Sequence, residues 1–330
     1  MADREAPRIG QARERHGSLV ARALADDAGS ARSALVASWR RSVALHGLDP
    51  EETRGPNSLT ETELREAAQA MEPMTRSARP VLDRLFLTVG DAGCCVLLTN
   101  ADGVPVERRG AATDDETFRR WGLWPGAVWS EAFEGTNGIG TALAEHRPLT
   151  IHREQHFYTR NTLLSCVSHP IHDHRGQLAG ILDVSSCRAD ATAGMLGLIA
   201  SAVGDAVRMI EAQVFRQAFP GARIVLASDG GERHAATLAV DRDDMVVGAN
   251  RAARLTMAIT DQRIADQLAA SEVLGGAATE TDLAEAERGA VRRALALNGG
   301  NVSATARALG VSRATLHRKL NRLGLGAAAH

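Results

Sequence analysis

Cysteines and histidines are the first residues in this 330-residue chain whose types could do chemistry. Cys166, His169, His172 and His174 lie close together, with His152 and His156 just upstream. Imidazole with thiolate suits zinc, copper or iron. A metal centre also needs its ligands at a defined spacing, and these residues show none. Cys94, Cys95, Cys166 and Cys187 form no CxxC pair, so reduced thiols are expected. The bland reading is expected to hold: Cys166 is a buried small hydrophobe, His172 and His174 flank a surface hairpin, and the protein needs no metal and no cofactor. On a strand, Cys94 and Cys95 point to opposite faces, so one thiol is available to line a pocket. No Ser-His-Asp order or paired-carboxylate arrangement stands out. No catalytic residue is assigned, and an enzyme is not expected.

The stretch GTNGIGT at 135–141 has the look of a phosphate loop. A P-loop needs a lysine to reach the β- and γ-phosphates, yet Lys319 is the only lysine in the chain. Nucleotide hydrolysis of that type, Schiff-base chemistry and lysine general bases are therefore excluded everywhere except at Lys319.

The net charge of −2 conceals a segregated basic end. From Arg288 to His330 there are eight Arg and Lys residues and no Asp or Glu. Such a tail points to a polyanion, nucleic acid first, against the alternative of a solvated basic helix. The spacing there predicts three helices. Leu283–Leu297 turns Val291, Ala294 and Leu295 inward and ends at Asn298-Gly-Gly300. Asn301 caps a second helix, 302–309, and Gly310 supplies the positive φ of a tight inter-helix turn that Val311 fills. Ser312 caps a third helix, 313–323, closed by Gly324. Leu316, Leu320 and Leu323 form its buried face. Arg313, Thr315, His317, Arg318 and Lys319 remain outside, where a recognition helix meets the major groove; Arg322 follows at its end. Asn301, Ser303 and Ser312 offer helix N-termini to phosphates. The competing reading is a small helical protein-binding bundle.

The elements before this end read as α+β. Residues 30–46 predict an amphipathic helix with Leu35, Val36, Trp39 and Val43 near one stripe, stopped by Gly47 and Pro50. A second helix is predicted from Thr60 to Ala70, with Thr60 and Glu63 as a capping box. Strands are predicted at 94–100, 104–108, 147–152, 165–172 and 178–185, forming an antiparallel sheet flanked by helices. A long helix over 189–216 carries an apolar stripe able to pack on the sheet and to pair with its twin as a coiled coil. A small α/β piece follows at 221–258, and Gly275-Gly276 reads as a hinge. No apolar run reaches the length of a membrane span, and the N-terminus has no secretion signal, so a soluble cytoplasmic protein is expected.

NGGNVSATARALGVSRATLHRKLNRLG resembles the Fis-type helix-turn-helix that ends many bacterial enhancer-binding regulators. The resemblance implies DNA contacts at Asn301, Ser303, Ser312, Arg313, Thr315, Arg318 and Lys319, and binding as a dimer. Position 317, often arginine in that family, is histidine here, which weakens one phosphate contact or makes it pH-sensitive. SWRRSVALHGLDP, WSEAFEGTNGIGTAL and SCVSHPIHDHRGQLAGILDVSS resemble the acetoin- and glycerol-catabolism activators. That likeness implies a GAF-type sensor for a small-molecule effector, and 238–253 looks like the opening of a PAS domain, too short to be complete. The expected organisation is a helical region (1–75), a GAF sensor with its long signalling helix (76–216), a truncated PAS-like segment (221–260), a linker (261–282) and the helix-turn-helix (283–326). Cys95, Trp129, Glu131, Thr136, Asn137, His156 and Cys166 are the expected pocket residues, with Trp121 and Trp124 as further wall candidates and Glu134 at the mouth. The central AAA+ ATPase of the full-length relatives has no room here. Partners are then DNA, an unknown effector and a second copy, with an AAA+ relative or RNA polymerase as alternatives, and no membrane.

Overall fold

The computed structural model describes residues 6–25, 33–227, 235–274 and 283–325. The hinge expected at Gly275-Gly276 lies outside the described residues. The chain divides into two compact units, one formed by 1–173 with 178–214, the other by 174–177 with 215–330.

The first unit opens with helix α1 (Ala6–Ala25) and helix α2 (Ala34–Arg40), which widens into a π-helical turn over Arg41–Leu45. Ser33 caps α2 by accepting from Val36 N. Trp39 is buried, whereas Val43 is exposed, so the predicted stripe narrows where the helix unwinds. Helix α3 (Glu61–Val89) has the expected Thr60/Glu63 capping box but runs nineteen residues past the predicted end at Ala70, through Pro73 and Pro80. Each proline removes a helical hydrogen bond. Here the apolar stripe of Met71, Met74, Ala78, Leu82, Leu85 and Val89 is buried along its length, and that burial outweighs the loss.

Five strands follow: β1 (Cys94–Thr99), β2 (Pro105–Arg109), β3 (Leu149–His152), β4 (Ser165–His172) and β5 (Leu178–Ser186), with order β2-β1-β5-β4-β3 and every pairing antiparallel. Period-2 alternation divides the side chains between two cores. Cys94, Val96, Leu98, Val167, Leu182 and Val184 pack under α3 and the long helix α7 (Ala193–Ala218). Cys95, Leu97, Cys166 and Ile181 face the other way, beneath Phe118, Leu123, Trp129 and Ile139. That second cover comes from short helices α4 (Asp115–Arg120), α5 (Glu131–Glu134) and α6 (Gly138–Glu145) with their loops.

By length and composition α7 is apolar enough to cross a bilayer, which corrects the expectation that no segment reaches that threshold. Its Leu196, Ile199, Val203, Val207 and Ile210 are buried at helical spacing in the sheet core. Burial against the sheet accounts for that apolarity. Met195, Leu198 and Met209 stay exposed on another face.

In the second unit, β6 (Arg223–Ala227), β7 (Ala236–Val240) and β8 (Val246–Ala249) form a three-stranded antiparallel sheet, followed by α8 (Arg251–Thr256). Residues 261–274, read from sequence as linker, instead form α9 (Asp261–Ala265) and α10 (Ala270–Val273), and Leu268 and Ala270 join the core of the small sheet. Three helices end the chain: α11 (Leu283–Leu297), α12 (Val302–Ala308) and α13 (Arg313–Arg322).

Candidate nucleic-acid interface and sensor core

Local sequence builds the C-terminal element. Asn301 Oδ1 accepts from Ser303 N and Ala304 N at 3.0 and 3.1 Å, and Ser312 Oγ accepts from Thr315 N at 3.1 Å. Gly310 adopts φ +65°, and Val311 N then donates to Ala306 O at 2.9 Å, closing the turn between α12 and α13. Leu316, Leu320 and Leu323 are buried with Val291, Ala306 and Leu325. At 100° per residue this inward face leaves Ala314, His317, Arg318 and Asn321 outward, all of them exposed, and Arg313 exposed at the first turn. Ala314 and Asn321 were not among the sequence candidates; helical-wheel arithmetic on the Leu316/Leu320/Leu323 stripe would have found them.

The other candidate cations are not equivalent. Lys319, half-buried on the flank, and exposed Arg322 both pair with Glu287 of α11. Glu287 is held below the usual carboxylate range, chiefly by its hydrogen bond from Lys319. Arg288 Nη2 donates to Leu323 O at 2.6 Å, tying off the end of α13. Arg292 and Arg293 bond to Arg242 O and Ser271 Oγ. The basic tail thus resolves into an exposed group, Arg307, Arg313, His317 and Arg318, and a paired group, Arg288, Arg292, Arg293, Lys319 and Arg322, that holds the element together. Glu287→Gln is expected to release Lys319 and Arg322 toward phosphates. Affinity for non-cognate duplex should rise and the slope of log K against log salt should steepen by about 1 to 2. Weaker binding in a salt titration would show that Glu287 instead sets the angle of α13.

In the first unit the predicted pocket residues are all buried, but in different roles. Cys95, Trp129 and Cys166 are core members, and Trp129 Nε1 donates to Gly122 O at 2.8 Å. Asn137 caps α6, accepting from Gly140 N at 2.8 Å and donating to Trp129 O and Gly135 O. Gly140 permits that approach, because a Cβ there would come 2.5 Å from Trp129 O. Glu131 and Thr136 do not face a cavity: Ser38 of α2 bonds to both, and Arg41 forks onto Glu131 at 2.8 and 3.0 Å. They dock the N-terminal helices. Removing the guanidinium with Arg41→Met should cost about 1–2 kcal/mol in a denaturant titration. That is below the figure for a fully buried pair because Arg41 is 30% exposed. Unchanged stability would contradict the docking role. Glu134 is gripped by Arg160 at 2.7 and 2.8 Å, beside a cleft of about 150 Å³ lined also by Glu52, Arg54 and Tyr158.

A buried polar row crosses the sheet on the Trp129 side. His156 Nε2 lies 3.4 Å from Cys166 Sγ, which lies 3.1 Å from Ser185 Oγ. Ser185 and Ser168 both donate to Asp183. Burial pushes Asp183 up to about 6 and His156 down to about 4, and it raises the Cys166 thiol far beyond neutrality. Neutral His156 and a protonated thiol make this row structural rather than nucleophilic. Sequence reasoning found His156 and Cys166 but not Asp183, whose DVSS context carries no local signal. Three more histidines of the cluster have separate partners: His152 with Ser165, His172 with Glu211, His174 against Phe219. Among the described residues no three His, Cys, Asp or Glu converge as metal ligands. Trp124 is not a core wall residue; it is stacked between Arg108 and Arg119.

Known proteins share both ends of this arrangement. The family model for a bacterial regulatory protein of the Fis family matches residues 282–323, the capped three-helix element. The acetoin catabolism regulatory protein of Cupriavidus necator is 35% identical over 67% of this chain and 34% of its own length. MimR, the propane 2-monooxygenase operon transcriptional activator of Mycolicibacterium smegmatis, is 32% identical over 59% of this chain and 32% of its own. The chain therefore spans about a third of the length of these relatives. Among solved structures, the E. coli DhaR(N)–DhaL complex aligns at 15% identity with a TM-score of 0.49, covering 75% of this chain and 80% of that one. The family model described as the MimR N-terminal domain matches residues 7–209, more than half of the chain, and the protein belongs to that family of transcription regulators.

Proposed function

We propose that this protein is a dimeric DNA-binding regulator whose GAF-type first unit senses a small oxygenated metabolite and adjusts the spacing of paired helix-turn-helices. The carrying observation is the outward face of α13, where Arg313, His317 and Arg318 stand in solvent over a closed leucine core while Lys319 and Arg322 pair with Glu287. Arginine forks to guanine and helix N-termini to phosphate, so this face reads a major groove. The exposed Met195, Leu198 and Met209 of α7 support pairing with a second copy. The names of the relatives, built on acetoin and propane metabolism, support a small effector. Seventy-two residues, 210–281, separate the two matched segments. That is fewer than a typical domain of about 100–150 residues, and the sole lysine is on α13. Both features support regulation by occupancy, without ATP hydrolysis by this chain.

Selection of bound duplexes from a random library tests this reading. An inverted repeat with half-sites about one or two helical turns apart is expected, and recovery of no enriched sequence would sink it. The same short middle segment favours one alternative, a non-catalytic adaptor that pairs with an ATPase-bearing relative. That reading predicts co-purification with such a relative and no independent DNA binding.

A further inference from the structure

Arg108 is a buried cation with two of its three guanidinium nitrogens unpartnered among the described residues. It lies on β2 opposite Leu97 of β1, and Leu97 in turn lies opposite Asp183 of β5. Arg108 therefore belongs to the sheet face that carries Cys95, Leu97 and Asp183, roofed by Phe118 and Trp129. Its side chain is 9% exposed. Nη1 donates to Asp115 at 2.7 Å, and the guanidinium lies 4.4 Å from the Trp124 ring centroid and 5.5 Å from that of Phe118. Nε and Nη2, both fully buried, have no partner among the described residues. These two N–H groups share one edge of the guanidinium plane, the edge that binds two oxygens side by side. Gly110 packs against the Nη end of the guanidinium without a side chain; a Cβ there would lie 2.3 Å from Nη2 and 3.1 Å from Nη1.

Leaving two donors of a cation buried and unmatched is costly. Buried polar groups are hydrogen-bonded almost without exception, so such donors call for a partner from outside the chain. We propose that the Nε/Nη2 edge of Arg108 anchors the effector, receiving two neighbouring oxygen acceptors of a small uncharged molecule beneath Trp124. Charge selects the class. Asp115 already balances the guanidinium, and Asp183 lies two strands away on the same face. A carboxylate ligand would add an unbalanced negative charge to a desolvated site. A hydroxyketone or similar neutral dioxygen compound satisfies both donors without that penalty, and Trp124, stacked between Arg108 and Arg119, is the side chain that must yield to admit it.

The inference rests on the sensor reading of the first unit, and calorimetric titration of the full chain separates the two. The probes are acetoin and lactate, close in shape and different in charge. The protein forms are wild type and Arg108→Lys, which keeps the pairing with Asp115 but loses the fork. Wild type is expected to bind acetoin with quenching or enhancement of tryptophan fluorescence, and lactate at least tenfold more weakly. Arg108→Lys is expected to lose roughly tenfold to a hundredfold in acetoin affinity while keeping the wild-type circular dichroism spectrum. Equal binding by the two forms would overturn the role of Arg108 and leave the sensor reading standing. Tighter binding of lactate would overturn the charge argument. Binding of neither probe by wild type would overturn both the proposed ligand class and the sensor reading on which it rests. If Arg108→Lys fails to fold, Trp124→Phe is read instead: loss of the fluorescence change with binding retained places the ligand at this edge, and an unchanged signal places it elsewhere.

Discussion

Leu320→Ala is expected to melt the DNA-reading element while leaving the first unit folded. Leu320 is 1% exposed, between Leu316, Leu323 and Val291, and truncating such a leucine costs about 2–5 kcal/mol. The described element spans residues 283–325, close to the size below which a single core barely suffices. At the usual stability per residue its whole folding free energy is about 2–6 kcal/mol, so one cavity consumes most of it. Contacts from Arg292 and Arg293 to Arg242 and Ser271 add only polar, partly exposed support. Thermal unfolding followed by circular dichroism should show the transition of the first unit unchanged and an early loss of helix, with DNA affinity down by more than tenfold at 25 °C. Wild-type affinity would mean that the leucine stripe is not the core of the reading head.

The second large effect is a pH dependence hidden by compensation. Asp183 has its folded pKa pushed up to about 6 from an ordinary carboxyl value, so the folded chain holds a proton that the unfolded chain has released. Stability from this group is therefore present below about pH 4 and is lost as pH rises through about 6; the ionised carboxylate costs about 3 kcal/mol at pH 7. His156 runs the other way. Burial pushes it down to about 4, so its stability is present above about 6.5 and is lost as pH falls toward 4. Between pH 7 and 5 the two slopes oppose one another, and the wild-type first unit should be nearly flat in that window. Asp183→Asn removes one slope. Urea titrations should show the variant losing about 1 kcal/mol more than wild type on going from pH 7 to pH 5. Parallel profiles would mean that Asp183 stays ionised in the folded core across this window and that burial does not raise its pKa.

What was legible in the sequence was local. The caps at Asn301 and Ser312, the turn at Gly310 and the leucine stripe of α13 are set by neighbours within four residues, and all appear as read. The five strands of the first sheet were likewise found to within two residues, because alternation and turn residues mark them. What depended on residues far apart was not legible. Glu131 and Thr136 read as pocket residues until Ser38 and Arg41, about ninety residues earlier, were placed on them. Lys319 looked like a base reader until Glu287 was set against it. Arg108 carried no signal at all, because its unused edge follows from sheet register and from the helix that supplies Asp115. The continuation of α3 past Pro73 was missed for a related reason: a proline argues locally against a helix, and the burial that overrides it belongs to the tertiary core.

The central claim, that the outward face of α13 reads DNA, is tested most directly by fluorescence anisotropy of the full chain on a labelled promoter fragment at several salt concentrations. Wild type should bind in the low-nanomolar to micromolar range, with log K falling linearly in log salt. Arg318→Ala should bind about tenfold or more weakly with a shallower slope and a relaxed sequence preference. Absence of salt-dependent binding by wild type, or an Arg318→Ala variant indistinguishable from it, would contradict the account.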